Sequence, residues 1–313
     1  MRAFGLIPLL LGSALALSAC SDDGHSGEPA DPGPLDGGGG TKNDEGGQTQ
    51  GVAFQNPPEP TADCGTANVA KGLQSKQTIA VGAEKRTYEL FVPDGYDGKK
   101  TFPLVFVFHG DGGTGASIRG SFKLEAASGQ GAIFVYPDGL GRTWRFDDAA
   151  GLAKDVAFVD QVAAELGTSH CTDKKRVFAV GFSRGAYFAN MLGCHSKSGL
   201  GAVVAHGGGG PFGVDGSGTT YPDGKLKCPQ PPLAAMQVIG QADGLLNEAK
   251  KARDHWQRVN ACKATTAPYD PSPCVAYDGC AAGRPEIYCE VPSLGHAIWD
   301  KGAQVTWDFI KSK

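Results

Sequence analysis

The chain has 313 residues, of which 41% are hydrophobic and 20% are charged, and its formal net charge is −4. That length and apolar content are enough for a core of its own, and we expect one folded domain preceded by a tail. Because the net charge is small and no block of basic residues occurs, we do not expect nucleic acid as a partner.

The N-terminus has the features of an export signal. Arg2 precedes an apolar run over residues 4–17, which is too short for a stable membrane span, and Leu-Ser-Ala-Cys follows, ending at Cys20. This tetrapeptide resembles the bacterial lipobox. The resemblance implies a signal peptide over residues 1–19 and a mature chain anchored by lipidated Cys20 to a membrane, at the cell surface or the outer membrane. An ordinary secretory signal is the alternative.

Residues 20–63 differ in composition from the rest of the chain. They are rich in Gly, Pro, Asp and Glu and include four consecutive glycines at 37–40. Because such a segment has too few large apolar side chains to form a core, we expect a disordered tether. The folded domain is then predicted to span residues 64–313.

From residue 64 onward, short β-branched or apolar runs alternate with helical stretches. This alternation predicts an α/β fold, with a mostly parallel sheet and helices on both faces. Amphipathic spacing predicts helices over 155–166 and 302–311. The predicted strands cover 87–92, 104–108, 132–136, 176–180, 202–205, 234–239 and 286–291.

The sequence Gly181-Phe182-Ser183-Arg184-Gly185 fits the pattern G-x-S-x-G. Alone the pattern is weak, but a predicted strand precedes it and a helical run follows it. Ser183 is therefore predicted on a tight strand-to-helix turn as a nucleophile, since bulky side chains at 181 or 185 would collide with the neighbouring elements. A serine that only begins a helix is the alternative.

A serine hydroxyl needs a base and a carboxylate that orients this base. His296 is favoured as the base because it follows the last predicted strand in a glycine-containing loop, whereas His255 lies within a helical run. Asp243 is favoured as the acid because it follows the apolar strand 234–239. The other acids, left as alternatives, are Asp215, Asp223, Asp254 and Asp270.

A negatively charged oxygen that develops during acyl transfer needs hydrogen-bond donors. His109-Gly110-Asp111-Gly112-Gly113 directly follows the strand 104–108 and is similar to the HG-x-G loop that supplies one donor. The backbone amides of Asp111 and Arg184 are the predicted pair. Gly112 is the alternative to Asp111, and a plain glycine-rich turn is the alternative to an oxyanion loop.

Eight cysteines follow Cys20, an even number that predicts four disulfides in an exported chain. Eight cysteines can be joined into four disulfides in 105 ways. The one pair that we predict is Cys171 with Cys194, from proximity to the helix that follows Ser183. The cysteines lack the paired spacing of a zinc site, so no metal is expected.

These motifs together resemble the family of extracellular feruloyl esterases and polyhydroxybutyrate depolymerases, which is related to carbohydrate esterase family 1 and has the α/β-hydrolase fold. The resemblance covers most of residues 64–311, in the segments 88–93, 109–113, 135–139, 155–160, 181–185 and 295–299. It implies ester hydrolysis through an acyl-enzyme. Asp111 stands where depolymerase-like members carry cysteine, which favours aryl or acyl esters of sugars.

The distance in sequence from Ser183 to Asp243 leaves no room for a large cap domain, which predicts an open site. An open site suits an ester displayed on a polymer such as polysaccharide, with Trp144 and Trp299 as aromatic walls or, alternatively, as core residues. We expect a monomer that needs no metal or organic cofactor. The alternatives are polyhydroxyalkanoate cleavage and a non-catalytic surface binding protein.

Overall fold

The structure is a computed structural model that describes residues 64, 66, 68–213, 226–228 and 230–313. The predicted signal peptide over 1–19, the predicted lipidation site Cys20 and the predicted tether over 20–63 lie outside the described residues.

The described residues form one ten-stranded sheet. The six strands in its centre are parallel, and antiparallel pairs extend it at both edges, in the order β1-β2-β4-β3-β5-β6-β7-β10-β9-β8. The predicted fold class is thus confirmed. The strands are β1 (Gly72–Val81), β2 (Glu84–Val92), β3 (Phe102–Phe108), β4 (Ile133–Pro137), β5 (Thr172–Phe182), β6 (Leu200–His206), β7 (Ala234–Gly240), β8 (Thr266–Pro268), β9 (Cys274–Tyr277) and β10 (Glu286–Val291).

Six helices of the described chain pack on the two faces of the sheet. Apolar side chains of α3, α4 and α5 contribute to the core on one face, and those of α1, α2 and α6 to the core on the other. The helices are α1 (Gly115–Phe122), α2 (Leu124–Ser128), α3 (Ala149–Ser169), α4 (Arg184–His195), α5 (Leu246–Val259) and α6 (Gly302–Ile310). None of them combines the length and apolarity needed to cross a membrane.

Three of the six central strands are buried along their whole length, as their composition requires. Every residue of β3, β4 and β7 is buried, which explains why these strands are continuous apolar runs without polar alternation. The connection from β6 to β7 contains no helix in its described residues 207–213, 226–228 and 230–233.

Four disulfides link the described cysteines: Cys64–Cys171, Cys194–Cys228, Cys262–Cys280 and Cys274–Cys289. The predicted number is confirmed, but the pairing of Cys171 with Cys194 is wrong. Cys171 lies beside the beginning of β3, where its carbonyl accepts a hydrogen bond from the Phe102 amide. Cys194 lies in the last turn of α4, next to His255 of α5. Proximity of both cysteines to α4 was therefore not sufficient to predict that they pair.

Candidate active site

Ser183 lies between β5, which ends at Phe182, and α4, which begins at Arg184. Its backbone has φ 55° and ψ −124°, a conformation that costs energy for any residue with a side chain. The neighbouring glycines make the turn possible. A Cβ on Gly181 would lie 2.1 Å from the Gly185 carbonyl oxygen, and one on Gly185 would lie 2.3 Å from the Phe108 carbonyl oxygen. The turn thus presents the serine hydroxyl at the end of the sheet.

Ser183, His296 and Asp243 form a continuous chain of hydrogen bonds. The Nε2 atom of His296 lies 2.9 Å from Oγ of Ser183, and its Nδ1 lies 2.8 Å from Oδ2 of Asp243. The second carboxylate oxygen of Asp243 accepts a hydrogen bond of 2.8 Å from the Leu245 amide. The Asp243 side chain is 1% exposed and that of His296 is 40% exposed, so the carboxylate is shielded while the imidazole reaches solvent.

The topology of the sheet explains why these three residues meet. β5, β7 and β10 are parallel, and Ser183, Asp243 and His296 each follow the carboxyl end of one of these strands. The loops after β7 and β10 also pack closely, because a Cβ on Gly240 would lie 2.1 Å from the Leu294 carbonyl oxygen. This close approach brings the loop of Asp243 against the loop of His296.

The loop after β3 lies against Ser183, since a Cβ on Gly110 would be 3.1 Å from the Ser183 Cβ. Within this loop the Gly112 amide donates to the Arg142 carbonyl at 2.9 Å and is not free for a substrate oxygen. The amides of Asp111 and Arg184 have no hydrogen-bond partner among the described residues. This difference favours Asp111 over Gly112 as an oxyanion donor.

His109 fixes the base of the same loop. Its Nε2 accepts a hydrogen bond of 2.9 Å from the Gly139 amide, so Nδ1 carries the proton and donates to the Gly110 carbonyl at 2.7 Å. The side chain is buried, and burial lowers the pKa of His109 from its ordinary value. A neutral imidazole of one defined tautomer therefore holds the loop.

The two tryptophans predicted as walls of the site lie in the core, the other role considered for them. Trp144 is fully buried, stacks on Phe188 at 4.7 Å between ring centroids and donates from Nε1 to the His109 carbonyl. Trp299 is 7% exposed and packs in the core on the side of α6. Both rings are thus buried, and the structure places them in the core rather than as exposed walls of the site.

Three other aromatic residues lie beside the serine turn. The rings of Phe146, Tyr187 and Phe212 are 5.7 to 6.1 Å apart, and the Arg184 guanidinium lies 4.3 Å over the Phe146 ring. Phe212 is 36% exposed. The sequence indicates that two of them lie near Ser183. Tyr187 is one helical turn after Ser183, and Phe212 follows the run of glycines after β6.

One group among the described residues has the donor atoms for a metal ion, namely Cys194, Cys228 and His255. Its two cysteines are bonded to each other as a disulfide. Because a thiolate is the metal-binding form of cysteine, the oxidised pair does not supply ligands.

The sheet order, with a hydrogen-bonded serine, histidine and aspartate at the carboxyl ends of its strands, is that of the α/β-hydrolase fold. Among curated proteins, the chain is similar to feruloyl esterases. It is 28% identical over 244 residues to feruloyl esterase B of Piromyces equi, covering 70% of this chain and 44% of the relative. It is 37% identical over 154 residues to feruloyl esterase C of Emericella nidulans, covering 46% and 56% respectively. The chain thus spans about half the length of these relatives.

A third relative is matched over more of its length. Feruloyl esterase D of Neurospora crassa is 26% identical over 248 residues, which cover 73% of this chain and 80% of the relative. No family model matches the chain. The resemblance to feruloyl esterases predicted from the motifs is confirmed by these three relatives.

Solved structures agree on the fold. An acetyl xylan esterase from Aspergillus awamori superposes with a TM-score of 0.56 at 15% identity and covers 76% of this chain and all of its own. A feruloyl esterase module from Clostridium thermocellum, solved with sinapinate, gives 0.53 at 13% identity and covers 84% of this chain and 96% of its own. At such identities the likeness concerns the fold alone.

Proposed function

We propose that the chain is an exported serine esterase that hydrolyses carboxylic esters, in particular feruloyl or acyl esters carried by polysaccharide. The observation that carries this proposal is the continuous hydrogen-bonded chain from the Ser183 hydroxyl through His296 to buried Asp243. The similarity to curated feruloyl esterases supports the choice of ester. The reaction needs no further group, since the nucleophile, its base and two oxyanion donors are all part of the chain.

Acylation begins when Oγ of Ser183 attacks the ester carbonyl carbon while Nε2 of His296 takes the hydroxyl proton. Asp243 accepts the Nδ1–H hydrogen bond, which keeps the imidazole in the required tautomer and stabilises its charged form. The carbonyl oxygen becomes negative and receives hydrogen bonds from the amides of Asp111 and Arg184. His296 then gives its proton to the leaving alcohol oxygen, the carbon–oxygen bond breaks, and the acyl-enzyme remains.

Deacylation repeats these steps with water in place of serine. His296 takes a proton from the water as its oxygen attacks the acyl carbon, and the same two amides stabilise the second tetrahedral intermediate. The bond to Ser183 breaks, the serine oxygen receives the proton from His296, and the carboxylic acid leaves. The 40% exposure of the His296 side chain gives water access to this position.

The cluster formed by Phe146, Tyr187 and Phe212 supports an aryl-bearing substrate. It lies next to Arg184, whose amide is a proposed oxyanion donor, and Phe212 is its solvent-exposed member. Aromatic faces stack on planar rings with a gain of about 0.5–1.5 kcal/mol. Asp111 further favours esters of sugars over polyester, since by the resemblance described for the sequence it stands where depolymerase-like members of the family carry cysteine.

Export and anchoring are supported by two features of the sequence. The first is the signal-like segment that ends in Leu-Ser-Ala-Cys20, whose resemblance to the lipobox supports a lipid on the Cys20 thiol. The second is the set of four disulfides, which form and persist in oxidising compartments. Together they support an enzyme on the outside of the cell that is tethered by residues 20–63 to a membrane surface.

Turnover of three substrates by the purified protein tests the proposal, with the variant Ser183→Ala measured beside it. We expect hydrolysis of p-nitrophenyl acetate and methyl ferulate, no release of hydroxybutyrate from a polyester film, and loss of all activity in the variant. Hydroxybutyrate release would instead favour the depolymerase alternative. A folded wild type that cleaves none of the three would leave the binding-protein alternative.

A further inference from the structure

Residues 138–145, called here the bracing segment, hold the oxyanion loop at three points. The Gly139 amide donates to Nε2 of His109, and Nε1 of Trp144 donates to the His109 carbonyl at 2.8 Å. The Arg142 carbonyl accepts the Gly112 amide at 2.9 Å. These bonds flank the Asp111 amide on both sides, so a shift of the bracing segment would move that amide.

The same segment also contacts the serine turn. Nε of Arg184 donates to the Trp144 carbonyl at 2.9 Å, and a terminal nitrogen of the guanidinium pairs with the carboxylate of Asp147, two residues beyond the segment. The two amides proposed to stabilise the oxyanion, those of Asp111 and Arg184, are thus tied to one stretch of backbone. The distance between these two amides therefore depends on the position of the bracing segment.

A buried ion pair holds the bracing segment from the core side. Nη1 of Arg86 lies 2.7 Å from Oδ1 of Asp155, and the two residues are 2% and 0% exposed. Oδ2 of Asp155 accepts the Arg145 amide at 2.7 Å, and Nη2 of Arg86 donates to the Asp138 carbonyl at 3.3 Å. The pair therefore fixes both ends of the segment through its backbone.

Stability alone is a weak reason to bury these charges. Moving two charges out of water costs several kcal/mol per ion, and a pair of well-packed apolar residues is often as stable or more so. The charged pair, however, provides directed hydrogen bonds to an amide and a carbonyl that apolar side chains could not make. Its geometry thus specifies where the backbone of residues 138 and 145 lies.

We propose that the Arg86–Asp155 pair acts as a positioning device that sets the distance between the two oxyanion donors through the bracing segment. This proposal rests on the proposed esterase function. It gives a role to the motifs at 135–139 and 155–160, which the catalytic steps do not use directly. Neither residue contacts the reacting atoms, so both act through His109, Trp144 and Arg184.

The variant Asp155→Asn tests the proposal, because its side-chain NH2 group is itself a donor. It would face either the guanidinium groups of Arg86 and Arg145 or the Arg145 backbone amide, and the hydrogen bonds on that side would be lost. For p-nitrophenyl acetate we expect kcat per active site to fall at least about tenfold while KM stays within about twofold, as a weakened oxyanion donor predicts. The rate of labelling by a fluorophosphonate, which forms a tetrahedral adduct on serine, is expected to fall by the same factor. Active sites are counted from the endpoint of that labelling.

A second variant and a control keep the result interpretable if Asp155→Asn does not fold. Trp144→Phe keeps an aromatic ring in the core but removes the Nε1–H donor to His109, and we expect the same loss of kcat at constant KM. Glu84→Gln weakens outer contacts of this network, to the Arg145 side chain at 3.0 to 3.1 Å, to Lys154 at 3.4 Å and to Arg86 at 3.9 Å. It keeps the 2.7 Å contact of Arg86 with Asp155 and should leave kcat unchanged.

The outcomes separate the two proposals. Wild-type kcat per active site in folded Asp155→Asn, or in Trp144→Phe, would show that these residues serve stability only and would overturn the positioning role. An equal fall in kcat for Glu84→Gln would also overturn it, since the effect would then be general. A wild type without Ser183-dependent hydrolysis or labelling would instead refute the esterase function and the positioning role with it.

Discussion

Nε2 of His296 lies 2.9 Å from the Ser183 hydroxyl oxygen, although 113 positions separate the two residues in the chain. The contact exists because β5 and β10 are parallel strands of one sheet, so that the loops after them meet at the same edge. Asp243 follows β7, which lies between β5 and β10 in the sheet, and its carboxylate accepts a hydrogen bond from Nδ1 of His296.

The first prediction concerns these three residues. Asp243→Asn leaves the shape of the site intact but favours the wrong imidazole tautomer, so we expect kcat for p-nitrophenyl acetate to fall about 10⁴-fold. Ser183→Ala and His296→Ala should each lose about 10⁴- to 10⁶-fold. Asp254→Asn, at a half-buried position in α5, is the control and should retain full activity. Loss of activity in the control with activity kept in Asp243→Asn would reassign the acid.

The second prediction concerns the exposed member of the aromatic cluster. In Phe212→Ala we expect kcat/KM for methyl ferulate to fall about five- to tenfold, corresponding to a lost aromatic contact of about 1 kcal/mol, while a small aliphatic acetate ester is cleaved normally. Leu73→Ala, an equally exposed apolar residue on the edge strand β1, serves as the matched control. Equal losses for both esters would show that Phe212 does not contact the aryl group.

The third prediction concerns a buried acid at the start of β10. Glu286 is fully buried, neither of its carboxylate oxygens has a hydrogen-bond partner within the described chain, and burial raises its pKa well above the ordinary value. The native state then keeps the proton that the unfolded chain releases above about pH 4.3, so this residue lowers stability as the pH rises.

Glu286→Gln removes that ionisation. We expect thermal or urea unfolding to show a gain in the free energy of unfolding at pH 8 that shrinks towards pH 4. A gain that stays constant over this pH range would show that the carboxyl does not titrate as its burial implies.

The fourth prediction concerns the disulfides. Cys64–Cys171 closes a separation of 107 residues and Cys274–Cys289 one of 15, so loop-closure entropy predicts about 4.7 against about 3 kcal/mol. Replacing the first pair by serines should therefore lower the midpoint of urea unfolding more than replacing the second. A non-reducing peptide map gives an independent check, and a peptide linking Cys171 to Cys194 would contradict the structure.

The central strands were predictable because burial on both faces requires an apolar run, and the range 286–291 coincides with β10. The edge strands β1 and β8 were not predictable from the sequence. In β1 exposed polar residues interrupt the pattern, and the three residues of β8 are all exposed, so main-chain pairing with neighbours forms these strands without a hydrophobic signal.

Within the candidate site, local sequence was informative wherever backbone geometry restricts the residue type. Gly181 and Gly185 mark the serine turn because any Cβ there would overlap the backbone. The burial of Trp144 was not predictable, since it depends on Phe188 and His109, which come from other elements. The disulfide partner of Cys171 was not predictable either, because Cys64 lies 107 positions away in the chain.

Covalent trapping of the nucleophile tests the central claim most directly. The purified protein is treated with a fluorophosphonate, digested and mapped by mass spectrometry, with ester hydrolysis followed in parallel. We predict one adduct per chain, on the peptide that contains Ser183, appearing at the rate at which hydrolysis is lost. Full labelling of another residue, or hydrolysis that survives complete modification of Ser183, would contradict the account.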